Sequence, residues 1–227
     1  MESKETRSTD NIQPEIAPTP EVIQLAAVLA TPDHPADLVR FIANAFGVSR
    51  QTVHKHVRRL VDGGDLIAHG KTRARRYTLR DLTQERRELD VTPKLEEDRV
   101  WREYILPKLE GVPENIEQIC EYGFTEMVNN VVDHSESEKL TIGMTMNMRD
   151  IRMFVRDFGV GIFHKIQEEL QLHDPRHALL ELSKGKLTTD PKRHSGEGIY
   201  FTSRAFNEFS ISSGELYFQR SLDDNSQ

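Results

Sequence analysis

The chain has 227 residues, a formal net charge of −7 and a single cysteine, Cys120. That length suits one or two domains. The lone thiol excludes an intramolecular disulfide framework and makes a reducing compartment the default. No apolar run approaches the roughly 20 residues of a spanning helix, and the acidic, Pro-containing start "MESKETRSTDNIQPEIAPTP" is unlike a signal peptide. The expectation is a soluble, cytoplasmic protein with no membrane association.

The charge is unevenly placed. Residues 36–80 carry ten Lys/Arg and three Asp/Glu, a balance of +7, and the rest of the chain carries −14. A basic block within an acidic protein points to a local anionic partner and to two domains with different tasks.

In chain order, residues 1–19 read as a disordered tail, polar and Pro-rich with little to bury. Residues 20–80 read as one compact unit. Pro20 near the first helical position opens "EVIQLAAVLA". "PADLVRFIANAF" is a second helix, closed by Gly47. "VSRQTVHKHVRRLVDGG" is a third, with Ser49 as N-cap and Gly63-Gly64 as the stop. "DLIAHGKTRARRYTL" places two apolar stretches around a basic turn, the pattern of a hairpin. Residues 81–112 read as a helical linker and docking region, with the charged stretch "DLTQERRELD" as a helix and the only Trp, Trp101, following. A second domain spans 113–220, and 221–227 are a tail. It opens with a helix over 114–134, whose expected buried stripe is Ile116, Ile119, Cys120, Phe124, Met127 and Val131. "KLTIGMTMNM" alternates as a half-buried strand, and "DIRMFVRD" pairs with it through the tight Arg149-Asp150 turn. A helical segment follows at about 163–182, then a Lys/Gly/Thr/Pro-rich loop at 183–195, a short helix from 198 and two strands near 208–220.

Three helices followed by a basic hairpin resemble the winged helix-turn-helix fold, over "FIANAFGVSRQTVHKHVRRLVDGGDLIAHGKTRARRYTL". Val53, Val57, Leu60 and Val61 would bury one side of the third helix. Ser49, Arg50, Gln51, His54, Lys55 and Arg58 would then suit a major groove, where such side chains reach base edges. Arg73, Arg75 and Arg76 on the hairpin would meet phosphates or the minor groove of double-stranded DNA. The same charges would also serve to solubilise a helical domain, and winged helices also bind proteins. A symmetric DNA target would call for a homodimer, which the sequence does not display.

In the second domain, Glu126, Asn130 and His134 stack one turn apart on a helix face, with Asp133 beside the last. Alone, such a row is the solvated side of an amphipathic helix. Asn129-Asn130 amid apolar residues is a helix cost without structural return. Two later stretches change the reading. "RDFGVGI" fixes Asp157 at a strand end, with Gly159 and Gly161 letting the backbone turn closely around a ligand. "HSGEGIYFT" places Gly196 and Gly198 before a helix, where free backbone N–H groups meet phosphate oxygens.

In this order the motifs resemble those of the GHKL (histidine kinase-like) ATPases, the superfamily of gyrase, heat-shock chaperones, histidine kinases and MutL. The wording "EMVNNVVDHS" and "HSGEGI" is most similar to the histidine kinase and anti-sigma-factor kinase branches. The resemblance covers about 113–220 and implies an α+β chain: a winged helix-turn-helix followed by an α/β sandwich of the Bergerat (GHKL) type. It implies ATP and Mg²⁺ as ligands. Asn130 would coordinate the Mg²⁺ that bridges the phosphates, with Asp133 beside it in the ligand-binding set. Glu126 would activate a water or hydroxyl, and Asp157 would accept from the adenine amino group. Gly159 and Gly161 would shape the adenine pocket, Gly196 and Gly198 would cradle phosphate, and 165–195 would form a lid with Lys184, Lys186, Lys192 and Arg193 in reach. Mg²⁺ keeps several waters, so one amide oxygen plus phosphates suffices; phosphoryl transfer asks chiefly for positioning and charge neutralisation.

Residues 81–112 hold no histidine, unlike the phospho-acceptor segment of a two-component kinase, and no transducer domain follows 220 as in gyrase or MutL. The expectation is an ATP-dependent transcriptional regulator. The alternative is an anti-sigma-type serine/threonine or histidine kinase-like phosphotransferase acting on a protein partner. A degenerate scaffold is the third reading, and the intact Glu126, Asn130, Asp157 and glycine pairs count against it.

Overall fold

The computed structural model describes residues 17–174, 176–184 and 198–222. The chain is mixed α+β, with helices and small antiparallel sheets. It divides into two compact units: Met1–Leu82 with Met146–Asp150, and Thr83–Thr145 with Ile151–Gln227.

In the first unit, α1 (Pro20–Ala30) starts at Thr19, whose side chain accepts from the Val22 N–H, with proline in the first turn. Helix α2 (Leu38–Phe46) ends at Gly47, at φ 64°. Helix α3 (Arg50–Gly63) is capped by Ser49, whose Oγ accepts from the Thr52 N–H at 3.1 Å, and stops at Gly64, φ 84°. Both glycines sit in the left-handed region that other residues enter at a cost of roughly 1–2 kcal/mol. Strands β1 (Leu66–His69) and β2 (Arg76–Leu79) form an antiparallel hairpin with Leu66 opposite Leu79 and His69 opposite Arg76, joined through a 3₁₀ turn at Thr72–Ala74. Ile23, Ala27, Val28, Leu38, Ile42, Ala43, Val53, Val57, Leu60, Leu66 and Tyr77 close one core.

The second unit begins with strand β3 (Thr83–Asp90), where the sequence predicts a helix. The residue preferences of "TQERRELD" are helical, but backbone pairing outweighs them. Leu82 N–H donates to Met146 O and Val91 N–H to Glu138 O, so β3 runs antiparallel along β4 (Lys139–Met146). The expected linker is thus part of a sheet of order β3-β4-β5, with β5 at Ile151–Asp157. Helix α4 (Glu97–Val100) continues into a π turn at Trp101–Ile105 and a 3₁₀ turn at Leu106–Lys108. Trp101 is buried with its ring 5.8 Å from that of Phe124. It belongs to the core of this unit.

Strand β4 departs from the expected half-buried pattern: Leu140 through Met144 are all buried. Thr141 is covered, and the Phe154 ring lies across Gly143, where an added Cβ would fall 2.0 Å from it. Helix α5 (Glu114–His134) buries Cys120, Gly123, Phe124, Val128 and Val131. Ile116 and Ile119, expected in that stripe, are exposed, and Val128 rather than Met127 fills it. Ile119 lies seven residues before Glu126 and Ile116 fourteen before Asn130, so both isoleucines share the azimuth of the candidate site row. The helical segment expected at 163–182 is split into α6 (Ile162–Glu169) and α7 (Arg176–Lys184). Helix α8 (Gly198–Ala205) precedes the antiparallel hairpin β6 (Glu208–Ser213) and β7 (Leu216–Ser221), with Ile211 opposite Phe218. Phe163, Ile166, Ala178 and Leu182 form a further core, packed by Ile199, Ile211, Leu216 and Phe218.

Candidate functional site

Helix α5 organises the second unit's site. Its buried stripe fixes the helix rotation, which leaves Glu126, Asn130 and His134 half-buried on one flank and Asp133 exposed. At the Glu126 end, α8 arrives antiparallel. A Cβ on Gly123 would meet the Phe206 ring at 2.3 Å and Thr202 Cγ2 at 3.1 Å. A Cβ on Gly198 would fall 1.9 Å from Glu126 Oε2. The start of α8 therefore lies against the Glu126 carboxylate, and a side chain at position 198 would require that carboxylate to swing aside.

At the other end of α5, the "DFGVG" loop is tied to the residues that close the helix. Ser135 Oγ donates to Val131 O at 2.7 Å and accepts from the Ser137 N–H at 3.1 Å. Ser135 O accepts from the Val160 N–H at 2.8 Å, and Ser137 Oγ accepts from the Phe158 N–H at 3.1 Å. Gly159 passes so close that a Cβ would lie 1.7 Å from Ser135 O. Asp157, at the end of β5, is half-buried and accepts from the Gly159 N–H at 2.9 Å, which fixes its carboxylate at the mouth of the loop. Gly161 has φ 84°, and a side chain there would also strike Ser213 Oγ at 2.5 Å. Lys165 Nζ bonds Glu136 Oε1 at 2.8 Å and holds that carboxyl below its usual pKa.

The structure thus brings Glu126 and Gly198 together at one point of α5, and sets Asp157, Gly159 and Gly161 at the other. From Glu126 to Ser135 is about 13 Å along the helix axis, with Asn130 between them. Gly196, Lys186, Lys192 and Arg193 lie outside the described residues, as does the Lys184 side chain. Ser135 and Ser137, both buried, are the positions that sequence reasoning passed over. Their signal was present: serines just after a helix and just before a strand compete for loose backbone groups. No cluster of three or more His, Cys, Asp or Glu side chains able to hold a metal occurs among the described residues.

In the first unit, Arg50, Gln51, His54, Lys55 and Arg58 are exposed along α3, opposite the buried Val53, His56, Val57 and Leu60. Arg58 also pairs with Asp62 at 3.7 Å, both side chains being largely in solvent. Such a pair contributes little and yields readily to a phosphate. The Ser49 hydroxyl is occupied as the cap of α3. Arg73, Arg75 and Arg76 are exposed around the hairpin turn. Gly70, at φ 72°, makes that turn possible: a Cβ would fall 2.5 Å from Ala74 O. His56 is buried with its Nδ1 unpartnered, and burial pushes its pKa below the ordinary imidazole value. No helix of the described residues is long and apolar enough to cross a membrane.

No protein-family model, no curated protein and no solved structure matches the chain.

Proposed function

We propose that the second unit is a GHKL-type ATP-binding module and the first a winged helix-turn-helix, together an ATP-binding regulator of transcription. The observation that carries this reading is the meeting of three separate sequence motifs along one helix. Gly198 reaches α5 at Glu126 and Gly159 reaches it at Ser135, with Asn130 midway. Asp157, which accepts from the Gly159 N–H, would also accept from a base amino group. Asn130 would hold Mg²⁺ through its amide oxygen, leaving the other positions to phosphates and water. The start of α8, with Gly198 free of a side chain, would meet phosphate through backbone N–H groups. The metal would neutralise charge on the phosphates; the chain's own share is to hold the base at Asp157 and the polyphosphate along α5. The basic face of α3 and the arginines of the hairpin would bind double-stranded DNA.

A second reading has its own support. Glu126 lies one turn from Asn130 and at the start of α8, where a carboxylate could orient a hydroxyl or water for phosphoryl transfer to a protein partner. Isothermal titration with Mg-ATP, together with phosphate release and protein phosphorylation followed in the same sample, separates the two. A regulator binds ATP with slow or no turnover, and a kinase transfers label to a partner. Loss of turnover with retained binding in Glu126→Ala would assign the carboxylate to chemistry.

A further inference from the structure

Strands β4 and β5 are neighbours in the sheet, and their pairing runs out where β4 begins at Lys139 and β5 ends at Asp157. One side chain takes over at that point. Ser137 Oγ donates to Lys139 O at 2.7 Å, and accepts from the Lys139 N–H at 3.3 Å and the Phe158 N–H at 3.1 Å. A hydroxyl has one proton to donate and two lone pairs, so this one is saturated within the protein. It is also buried. The Phe158 N–H belongs to the peptide that leaves Asp157, so the bond to it fixes the ψ of Asp157.

The same serine is tied to α5. Its N–H donates to Ser135 Oγ at 3.1 Å, and Ser135 Oγ donates to Val131 O at 2.7 Å. Glu136 between the two serines takes φ 57°, unfavourable for a residue with a side chain, and Lys165 Nζ holds its carboxylate at 2.8 Å. Such a conformation persists only where its surroundings over-determine it. A continuous run of hydrogen bonds thus joins the last turn of α5 to the peptide that follows Asp157. Asn130 precedes Val131 in that turn and lies about 7.5 Å before Ser135 along the helix axis. Asp157 itself is left half open. The Gly159 N–H bonds its Oδ1, and no other bond to the carboxylate occurs among the described residues.

We propose that Ser137 is a positioning residue of the nucleotide site: it sets where Asp157 stands relative to Asn130, and so matches the site to a ligand whose amino-bearing base lies at a fixed distance from its phosphates. The proposal rests on the ATP-site reading given above. Ser137 does not touch the ligand, because its hydroxyl has no capacity left for one. Capping a strand end would need the hydroxyl alone. Here the hydroxyl holds the peptide of one ligand-binding side chain, and the N–H of the same residue is bonded back to the helix that carries the other. Preorganisation of this kind places a binding group before the ligand arrives.

The test titrates the full chain with Mg-ATP and, separately, with Mg-tripolyphosphate, which has the phosphates without the base. The wild type is expected to bind both. Ser137→Ala should weaken Mg-ATP about tenfold, the worth of one or two hydrogen bonds, and leave Mg-tripolyphosphate unchanged. Ser137→Thr keeps the hydroxyl and should restore Mg-ATP affinity. Ser135→Ala cuts the run at its other link and gives a second reading of the same kind: weaker Mg-ATP, unchanged tripolyphosphate. Without any ligand, amide hydrogen exchange at Phe158 should quicken in Ser137→Ala and not in Ser137→Thr. Near-ultraviolet circular dichroism shows each variant folded. Unchanged Mg-ATP affinity in both alanine variants would overturn the proposal and leave the ATP site standing. An equal loss for both ligands would overturn it as well, by showing a general disturbance of the unit. Failure of the wild type to bind Mg-ATP would remove the ATP-site reading itself, and this proposal with it.

Discussion

Substituting Gly159 by alanine probes the link between the "DFGVG" loop and α5 on which the proposed nucleotide site depends. The new Cβ would start 1.7 Å from Ser135 O, 2.6 Å from Ser135 C and 3.1 Å from Ser135 Cβ. Real Cβ atoms do not come closer than 3.0 Å, and the obstacle is backbone that cannot rotate aside. The loop must therefore lift by more than an ångström, which breaks the 2.8 Å bond from the Val160 N–H to Ser135 O. Ser135 is buried, so water does not readily replace that donor. A buried polar group left unsatisfied costs about 1–3 kcal/mol. With the accompanying strain, the destabilisation comes to about 3 kcal/mol. For a chain of this size that lowers Tm by about 6–12 °C. Trp101, the only tryptophan, is buried in the same unit, so its fluorescence reports the right transition. Gly214 is the control: its φ is 58°, but an added Cβ meets nothing within 4 Å. Gly214→Ala should cost only about 1 kcal/mol, the penalty of the left-handed backbone. If Gly159→Ala lowers Tm no more than Gly214→Ala does, the close approach of loop and helix end is refuted.

The remaining predictions concern other residues. His56 is held neutral by burial, so its folded pKa lies below the unfolded value near 6.5. As pH falls through that value, the unfolded chain takes up a proton the folded chain resists, and stability declines. His56→Gln should reduce the fall in Tm of the first unit between pH 7.5 and about 5.5; an unchanged decline would show that His56 is not its source. The Cys120 thiol is pushed up to about 11 by burial, with Glu117 adding to it, so thiolate is scarce near neutrality. Native protein should react with iodoacetamide far more slowly than protein in denaturant; equal rates would contradict its burial. Reversing charge at Arg73 and Arg75 should weaken duplex binding across all sequences and reduce its salt slope by about 0.9 for each phosphate that is no longer neutralised. An unaltered salt slope would exclude these arginines from binding phosphate.

Much of the architecture was legible from local signals. Ser49, Gly47, Gly64 and the basic turn at 70–76 each carry their own punctuation, and the structure places caps and turns there. What escaped was set by distant partners. The residues of β3 prefer helix, and only their pairing with β4 makes them strand. Thr141 and Gly143 read as a solvent row because nothing local announces that Phe154 will lie over Gly143. The α5 stripe was read one face too wide: Ile116 and Ile119 repeat the azimuth of Asn130 and Glu126, and the true core line runs through Cys120, Phe124, Val128 and Val131. In the candidate site, Glu126, Asp157 and the glycines stood out by residue type. Ser135 and Ser137 did not, because their role is to hold backbone that only the folded loop presents.

On the proposed function, α5 and the loop after β5 form one Mg-ATP site. Isothermal titration of Mg-ATP into wild type, Asn130→Ala and Asp157→Asn tests this most directly. A single binding event is expected in the wild type, and both substitutions should abolish it, with near-ultraviolet circular dichroism showing each variant folded. Equal binding by the folded variants, or no binding of Mg-ATP by the wild type, would contradict the assignment.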